Sequence, residues 1–310
     1  MHNTAEALAK RAQEQRQLGH YNRATLRLFF KAWRRNPSPA NLIQWLGFQR
    51  DLGYSLRQHQ YRWLHSAIYP LWRSWLKKCL PYRLLQQGRK LCQEYEFTEG
   101  KAETPANPLA SMWRQEEQWR TDFLSMIVTQ KEGGIAIVGN GARLNGAGLG
   151  EQIDQHRFVL RFNRFTGANS TREDNGIKLD IWVRAPDYVG PAPRVDWLLM
   201  TGPAIQFKLQ NWRPLKPLIK NGAKLVCVPL SAWRDLVAEL GAPPSGGLLV
   251  AYWLAQQPGL KPHLRLFGFG FEPENGEVYH QGVPGHQPND RHNWQGERVL
   301  LKQWFGENLV

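Results

Sequence analysis

The chain has 310 residues, 42% of them hydrophobic, a formal net charge of +14 and three cysteines. That length accommodates one large domain or two ordinary ones, and an odd set of cysteines (Cys79, Cys92, Cys227) without metal-like spacing excludes a disulfide framework and a cysteine-based zinc module. The opening "MHNTAEALAKRAQEQRQLGHY" has no apolar signal core, and no run approaches the roughly 20 apolar residues that span a bilayer, so the expected setting is a reducing cytoplasm.

The charge is unevenly placed. Residues 1–93 hold 17 of the 40 Lys and Arg and three of the 26 acids (Glu6, Glu14, Asp51), whereas residues 94–310 balance 23 bases against 23 acids. From Leu52 to Cys92 there are eight bases and no acid, which is the charge pattern of a surface that meets a polyanion.

The first third reads as helices. "NTAEALAKRAQEQRQLG" starts at a candidate Asn3 cap and stops at Gly19; "YNRATLRLFFKAWRRNP" ends at Asn36-Pro37; "NLIQWLGFQRDLG" ends at Gly53. Leu18-Gly19 and Leu52-Gly53 lie 34 residues apart, and the second helix resembles half of a tetratricopeptide repeat, with Tyr21, Ala24, Ala32 and Pro37 near the expected places. "YRWLHSAIYPLWRSWLKKCLPYRLLQQGRK" then interleaves Trp63, Trp72 and Trp75 with Arg62, Arg73, Lys77 and Lys78. An interfacial helix on anionic lipid has this composition, which makes residues 54–93 a candidate membrane surface. A helix that buries its tryptophans and solvates its bases reads the same way, and Pro70 and Pro81 are expected to interrupt it. Nucleic acid would suit the charge, but no nucleic-acid-binding module is spelled, so none is expected as partner.

"FTEGKAETPANP", residues 97–108, has a linker's composition and divides a basic helical region, 1–105, from a second domain, 106–310. In that second domain short apolar runs (Ile135–Val138, Phe158–Phe162, Leu198–Met200, Leu225–Val228, Leu264–Phe267) alternate with helical stretches. The alternation predicts an α/β fold, a Rossmann-like and mostly parallel sheet flanked by helices, beside the all-helical N-terminal region.

The first of these runs feeds "IAIVGNGARLNGAGLG", a strand entering a glycine loop of the kind that brings backbone N–H groups to a phosphate. The dinucleotide spelling fails, because the third glycine would fall on Leu144, and no Gly-Lys-Ser/Thr is present for a nucleoside triphosphate. The longer segment is more specific. Val138-Gly139-Asn140, Gly146 to Gly150, Ile153-Asp154, His156, Val159-Leu160-Arg161 and Asn163 together resemble the large sialylmotif of the family 29 glycosyltransferases, the sialyltransferases. "PPSGGLLVAYWLAQQPGLKPHLRLFGFG" resembles the small motif, from Pro244-Ser245 to Gly268-Phe269-Gly270, and "HNWQGE" the very small motif, at His292 and Glu297. The third motif is less clear: Tyr279-His280 is the nearest match and His286 the alternative.

The resemblance implies transfer of a 2-keto sugar acid from its CMP ester to an acceptor hydroxyl, with inversion. On it, His292 is the general base, Glu297 either orients His292 or packs at the same helix terminus, and His280 or His286 faces the leaving phosphate. Asn140, Gly141, Asn163, Ser245, Gly246 and Gly247 are the candidate contacts to the cytidine nucleotide. Arg161 is expected to tether the sheet or an acid such as Asp154. The spacing of His263, His280, His286 and His292 fits no metal set, and a single-phosphate donor needs no cation, so neither metal nor other cofactor is expected.

Two departures bear on setting. The cysteine that pairs the large and small motifs in secreted members is Ile135 here and has no counterpart in the small motif, as suits a bacterial type in a reducing compartment. The family's Ser-Thr-Gly is Ser245-Gly246-Gly247, with one hydroxyl fewer. Kdo and sialic acid both travel as CMP esters, so the expected reaction is addition of either to a surface glycan such as lipopolysaccharide or capsule, by a protein peripheral to the inner membrane. The alternative is a non-catalytic helical-repeat adaptor with an inactive transferase domain.

Overall fold

The computed structural model describes residues 4–73, 80–98, 108–165, 171–185, 188–202, 215–269 and 291–310. His280 and His286, Gly270, Cys79, Trp75, Lys77, Lys78 and most of the linker lie outside the described residues.

Helices α1 (Ala5–Gln17), α2 (Arg23–Arg35), α3 (Pro39–Asp51), α4 (Gln58–Arg73) and α5 (Tyr82–Thr98) form the N-terminal region. The starts of α1, α2 and α3 are set by side-chain caps: Thr4, Asn22 and Ser38 accept from the amides of Ala7, Thr25 and Asn41. The cap of α1 is thus Thr4, one residue after the expected Asn3. Gly19 (φ 80°) and Gly53 (φ 87°) take the left-handed conformation that ends α1 and α3. Contrary to expectation, Pro70 lies inside α4. Pro70 is exposed while Leu64 and Ile68 are buried on the opposite face, so water can satisfy the carbonyl one turn back and the inward packing carries the helix through. Of the repeat-like positions, Tyr21 and Ala32 are buried and Ala24 is exposed.

After α6 (Pro108–Thr129) come six strands: β1 (Ile135–Val138), β2 (Phe158–Phe162), β3 (Ile181–Arg184), β4 (Trp197–Met200), β5 (Lys224–Cys227) and β6 (Leu264–Phe267). They form one parallel sheet in the order β5-β4-β3-β2-β1-β6. Five follow the expected runs; β3 is additional. The other described α-helices are α7 (Gly150–Asp154), α8 (Arg172–Asn175), α9 (Lys216–Lys220), α10 (Leu230–Leu240), α11 (Gly246–Ala255) and α12 (Trp294–Phe305). The outer edge of β6 is covered by the chain's own end, Val310 donating to Leu266 and Gly268 to Val310.

Because alternate strand residues point to opposite faces, the sheet has two cores. Ile135, Ile137, Leu160, Val183 and Val226 share one cluster with Phe123, Trp233, Leu249 and Trp253, and the same cluster continues into Ala12, Phe29, Leu46 and Leu64 of the N-terminal helices. Trp182, Leu198, Met200, Leu225 and Cys227 pack on the other face. The helical region and the sheet region are therefore joined by a common core, and polar contacts reinforce it. The Tyr21 amide donates to the Gly241 carbonyl (2.8 Å) and the Trp233 indole to the Asp51 carbonyl (2.8 Å). Arg16 pairs with the Asp51 carboxylate at 2.6 Å.

Trp233→Ala is expected to empty the junction and remove its bond to Asp51. The expected loss is about 3–5 kcal/mol of unfolding free energy, read as a lower urea midpoint at unchanged m-value.

Candidate functional site

The strand order reverses at β1, and in open α/β sheets ligands bind outside the carboxyl ends of the strands at such a switch point. Here the loops leaving β1 and β6 meet backbone to backbone. The Gly139 amide donates to the Phe267 carbonyl (2.8 Å) and the Gly141 amide to the Gly268 carbonyl (3.2 Å). A Cβ on Gly139 would stand 2.8 Å from the Gly268 oxygen, so close approach explains glycine at this position. Gly141, expected to contact a nucleotide, gives its N–H to this loop pairing.

Two asparagines stand on the same edge. Asn140 donates from Nδ2 to the Phe162 carbonyl at the end of β2 (3.1 Å). Asn163 has φ 45°, a left-handed position that Asn tolerates better than other side chains. Its backbone accepts from the Trp182 indole, and its Oδ1 accepts from the Ala185 amide at 2.8 Å, stitching β2 to β3. Arg161, buried two residues earlier in β2, donates to the Lys178 and Asn175 carbonyls and lies 3.6 Å from Asp154, so it tethers the loops behind the sheet.

The later glycines do something the sequence does not announce. Gly146 and Gly148 have φ of 72° and 64°, and the successive amides there form a concavity suited to an anion. That anion is the chain's own Asp174: the Gly148 amide donates to its Oδ1 at 2.9 Å. The amides of Gly148, then Gly146 and Ala147, hold the Asp174 carboxyl below its usual range. Asp174 is positioned by Thr171, whose hydroxyl caps α8 at the Asp174 amide and donates to the carboxylate. The spelling Thr171-Arg-Glu-Asp174 is a capping signal that could have marked this acid.

Ser245, Gly246 and Gly247 open α11. The Ser245 hydroxyl is the helix cap, accepting from the Leu248 amide at 3.3 Å. Gly246 lies beside Thr201 at the end of β4, and a Cβ on Gly247 would stand 2.5 Å from the Phe269 ring, so Gly247 is needed for Phe269 to pack there. Thr201 and Phe269 are thus wall residues that motif reading passed over. The start of α11 thus lies against the residues that follow β4 and β6, on the carboxyl edge of the sheet.

His292 and Glu297 are tied to the turn just before α11. His292 Nδ1 lies 2.8 Å from the Pro243 carbonyl, which can only accept. A neutral ring that donates from Nδ1 keeps its lone pair on Nε2, the form a general base requires. Glu297, on α12, is fully buried and accepts the Ser245 amide on Oε1 at 2.7 Å. Its Oε2 has no hydrogen-bond partner among the described residues. Glu297 therefore packs at the helix terminus, and the group that orients His292 is the Pro243 carbonyl. Burial pushes the Glu297 carboxyl up to about 7 against the opposing pull of its bonds to Ser245. Asn293 completes the clasp, donating to the Leu240 carbonyl at 3.0 Å.

Two opposite pH effects on stability follow. A carboxyl raised from 4.5 to about 7 holds a proton in the folded state that the unfolded chain has lost, so its contribution is full below pH 4.5 and lost as pH rises through 7. Glu297→Gln should abolish that fall, roughly 2–4 kcal/mol across the window, in urea titrations at successive pH values. Asp174 has a lowered carboxyl, so its contribution is present above pH 3.8 and lost as pH falls through the lowered folded value. Asp174→Asn should therefore be less stable than the parent near neutrality and converge with it in acid.

Comparison with known proteins bears on this edge of the sheet. The model of glycosyltransferase family 29 (sialyltransferase) matches residues 128–189, which run from the end of α6 through β1, the glycine loop, β2 and β3. No curated protein sequence matches the chain. A mammalian sialyltransferase crystallised in complex with Gal-beta-1-3GalNAc-ortho-nitrophenol is similar over 70% of this chain and 84% of that chain, at 19% identity and a TM-score of 0.44. A second crystal structure of a mammalian sialyltransferase gives the same identity and TM-score over 70% of this chain and 83% of that chain. The matched segment supplies Asn140, Asn163 and the loop closed by Asp174, and over that segment this chain is similar to glycosyltransferase family 29 (sialyltransferase).

Proposed function

We propose that the protein transfers a 2-keto sugar acid, sialic acid or Kdo, from its CMP ester to a hydroxyl of a surface glycan or glycolipid, with inversion and without a metal. The observation that carries this reading is His292 held by the Pro243 carbonyl at the mouth of α11, over the carboxyl edge formed by the family 29 segment.

In this scheme Nε2 of His292 takes the proton of the attacking acceptor hydroxyl while the bond from sugar to phosphate breaks. Negative charge then develops on the departing CMP phosphate. Amides at the start of α11 face that charge, and the dipole of this ten-residue helix favours it. Among the described residues nothing pairs with Nδ2 of Asn163, so this donor is the part of Asn163 offered to the nucleotide. Asn140 borders it from the loop after β1. Glu297 and Pro243 act through the turn they share, setting the angle at which His292 meets the substrate. His280 and His286 stand as the two candidates for the phosphate contact. A lipopolysaccharide or capsule acceptor would place the enzyme in the cytoplasm, at the inner face of the membrane.

Titration with CMP in EDTA is expected to show saturable binding that NAD does not compete for and that Asn163→Ala weakens. His292→Ala should retain CMP binding and lose about 10²–10⁴-fold in transfer from CMP-Kdo or CMP-sialic acid. Absence of cytidine nucleotide binding would sink this reading in favour of an inactive transferase domain carried by a helical adaptor.

A further inference from the structure

The tryptophans of the basic region do not share one fate. Trp45 is core, only 8% exposed, whereas Trp63 on α4 is 44% exposed. Between them stands Trp33 of α2, stacked on Trp45 (centroids 4.8 Å apart, planes at 22°) and 5.3 Å from Trp63. Phe30 packs on Trp45 at 4.9 Å and His59 on Trp63 at 4.9 Å. An aromatic ladder thus rises from the core between α2 and α4 to the surface. Bases flank it: Arg23, Arg27, Lys31, Arg34 and Arg35 are exposed on α2, which has no acid, and Arg62 is exposed beside Trp63. The acid of α3, Asp51, is turned away into its pair with Arg16.

We propose that this face of α2 and α4 seats the protein on an anionic lipid surface. An indole at the headgroup level with cations around it is the chemistry of interfacial binding. The ladder holds Trp63 from below, so inserting it orders little that is not already ordered. No described helix is long and apolar enough to cross a membrane, and α4 at 16 residues is about 24 Å long, so the face lies on the bilayer. The occupant follows from charge: with no acid between Leu52 and Gln93, the face suits phosphate headgroups and repels basic partners. The expected polyanion surface spans residues 54–93; the proposed face also takes in the exposed bases of α2. This inference rests on the glycolipid reading of the acceptor for its purpose only.

The test is co-sedimentation of the full chain with vesicles of phosphatidylcholine mixed with phosphatidylglycerol, against phosphatidylcholine alone, at low and high salt. The expected result is pelleting with the anionic vesicles alone, weakened by salt. Reversing two bases together (Arg34→Glu with Arg62→Glu) should weaken binding by at least about 25-fold, at roughly fivefold per charge. Trp63→Ala should weaken it about tenfold. CMP titration of the same preparations reports separately on the fold and the donor site. Equal binding to neutral vesicles, no vesicle binding, variants that match the parent, or capture by duplex DNA in place of vesicles would overturn the lipid assignment whatever CMP does. Loss of CMP binding with vesicle binding intact would leave the lipid face standing and remove the transferase reading.

Discussion

The six residues from Leu240 to Ser245, between α10 and α11, carry the constraint on which the rest of the molecule depends. A helix ends and another begins there, so carbonyls and amides are left without helical partners. Gly241, in the left-handed conformation (φ 63°), closes α10, and the remaining groups are claimed from outside. Tyr21 of the N-terminal region takes the Gly241 carbonyl; Asn293, His292 and Glu297 of the C-terminal segment take Leu240, Pro243 and the Ser245 amide. Two distant parts of the chain, one from each end, therefore converge on one turn. The helical region is in this sense part of the wall behind His292, through Tyr21 and through Trp233 bonded to Asp51.

The same turn explains the buried Glu297. A carboxyl with one oxygen bonded and the other without a partner among the described residues is costly when charged, and a packed interior would favour an apolar residue there. What the carboxyl supplies is direction. It accepts one particular amide, Ser245, and so fixes where α11 begins relative to α12 and to the Pro243 carbonyl that aims His292. Strongly perturbed groups gather at sites that need geometry more than stability, and Glu297 stands one contact away from the proposed base.

The glycine loop shows the converse arrangement. Its amides at 146–148 are shaped for an anion, and Asp174 fills them. The charge-assisted bonds order a stretch that is open around its glycines, since among the described residues nothing lies within 4 Å of a Cβ on Gly146 or Gly148. A preformed edge of this kind leaves Asn140 and Asn163 at fixed positions on the carboxyl side of the sheet.

Local physics was written in the sequence. Stops at Gly19 and Gly53 and the buried apolar runs of five parallel strands depend on residues a few positions apart, and so does the spelling that relates residues 128–189 to family 29. The missing strand, Ile181–Arg184, is short, lies between Asp180 and Ala185 and ends on a buried arginine, so its apolar signal is three residues long. Pro70 reads as a breaker until burial of the opposite face shows what outweighs it. The partners of the site were not legible at all: Glu297 meets Ser245 across 52 residues, His292 meets Pro243 across 49 and Asp174 meets Gly148 across 26. Nor could composition say which tryptophan is core, because Trp45 and Trp63 differ only in which neighbours cover them. Sequence determined what each segment could become and which chemistry it carried; tertiary structure decided which groups meet, because hydrogen bonds and burial between distant segments depend on where the packed elements bring them.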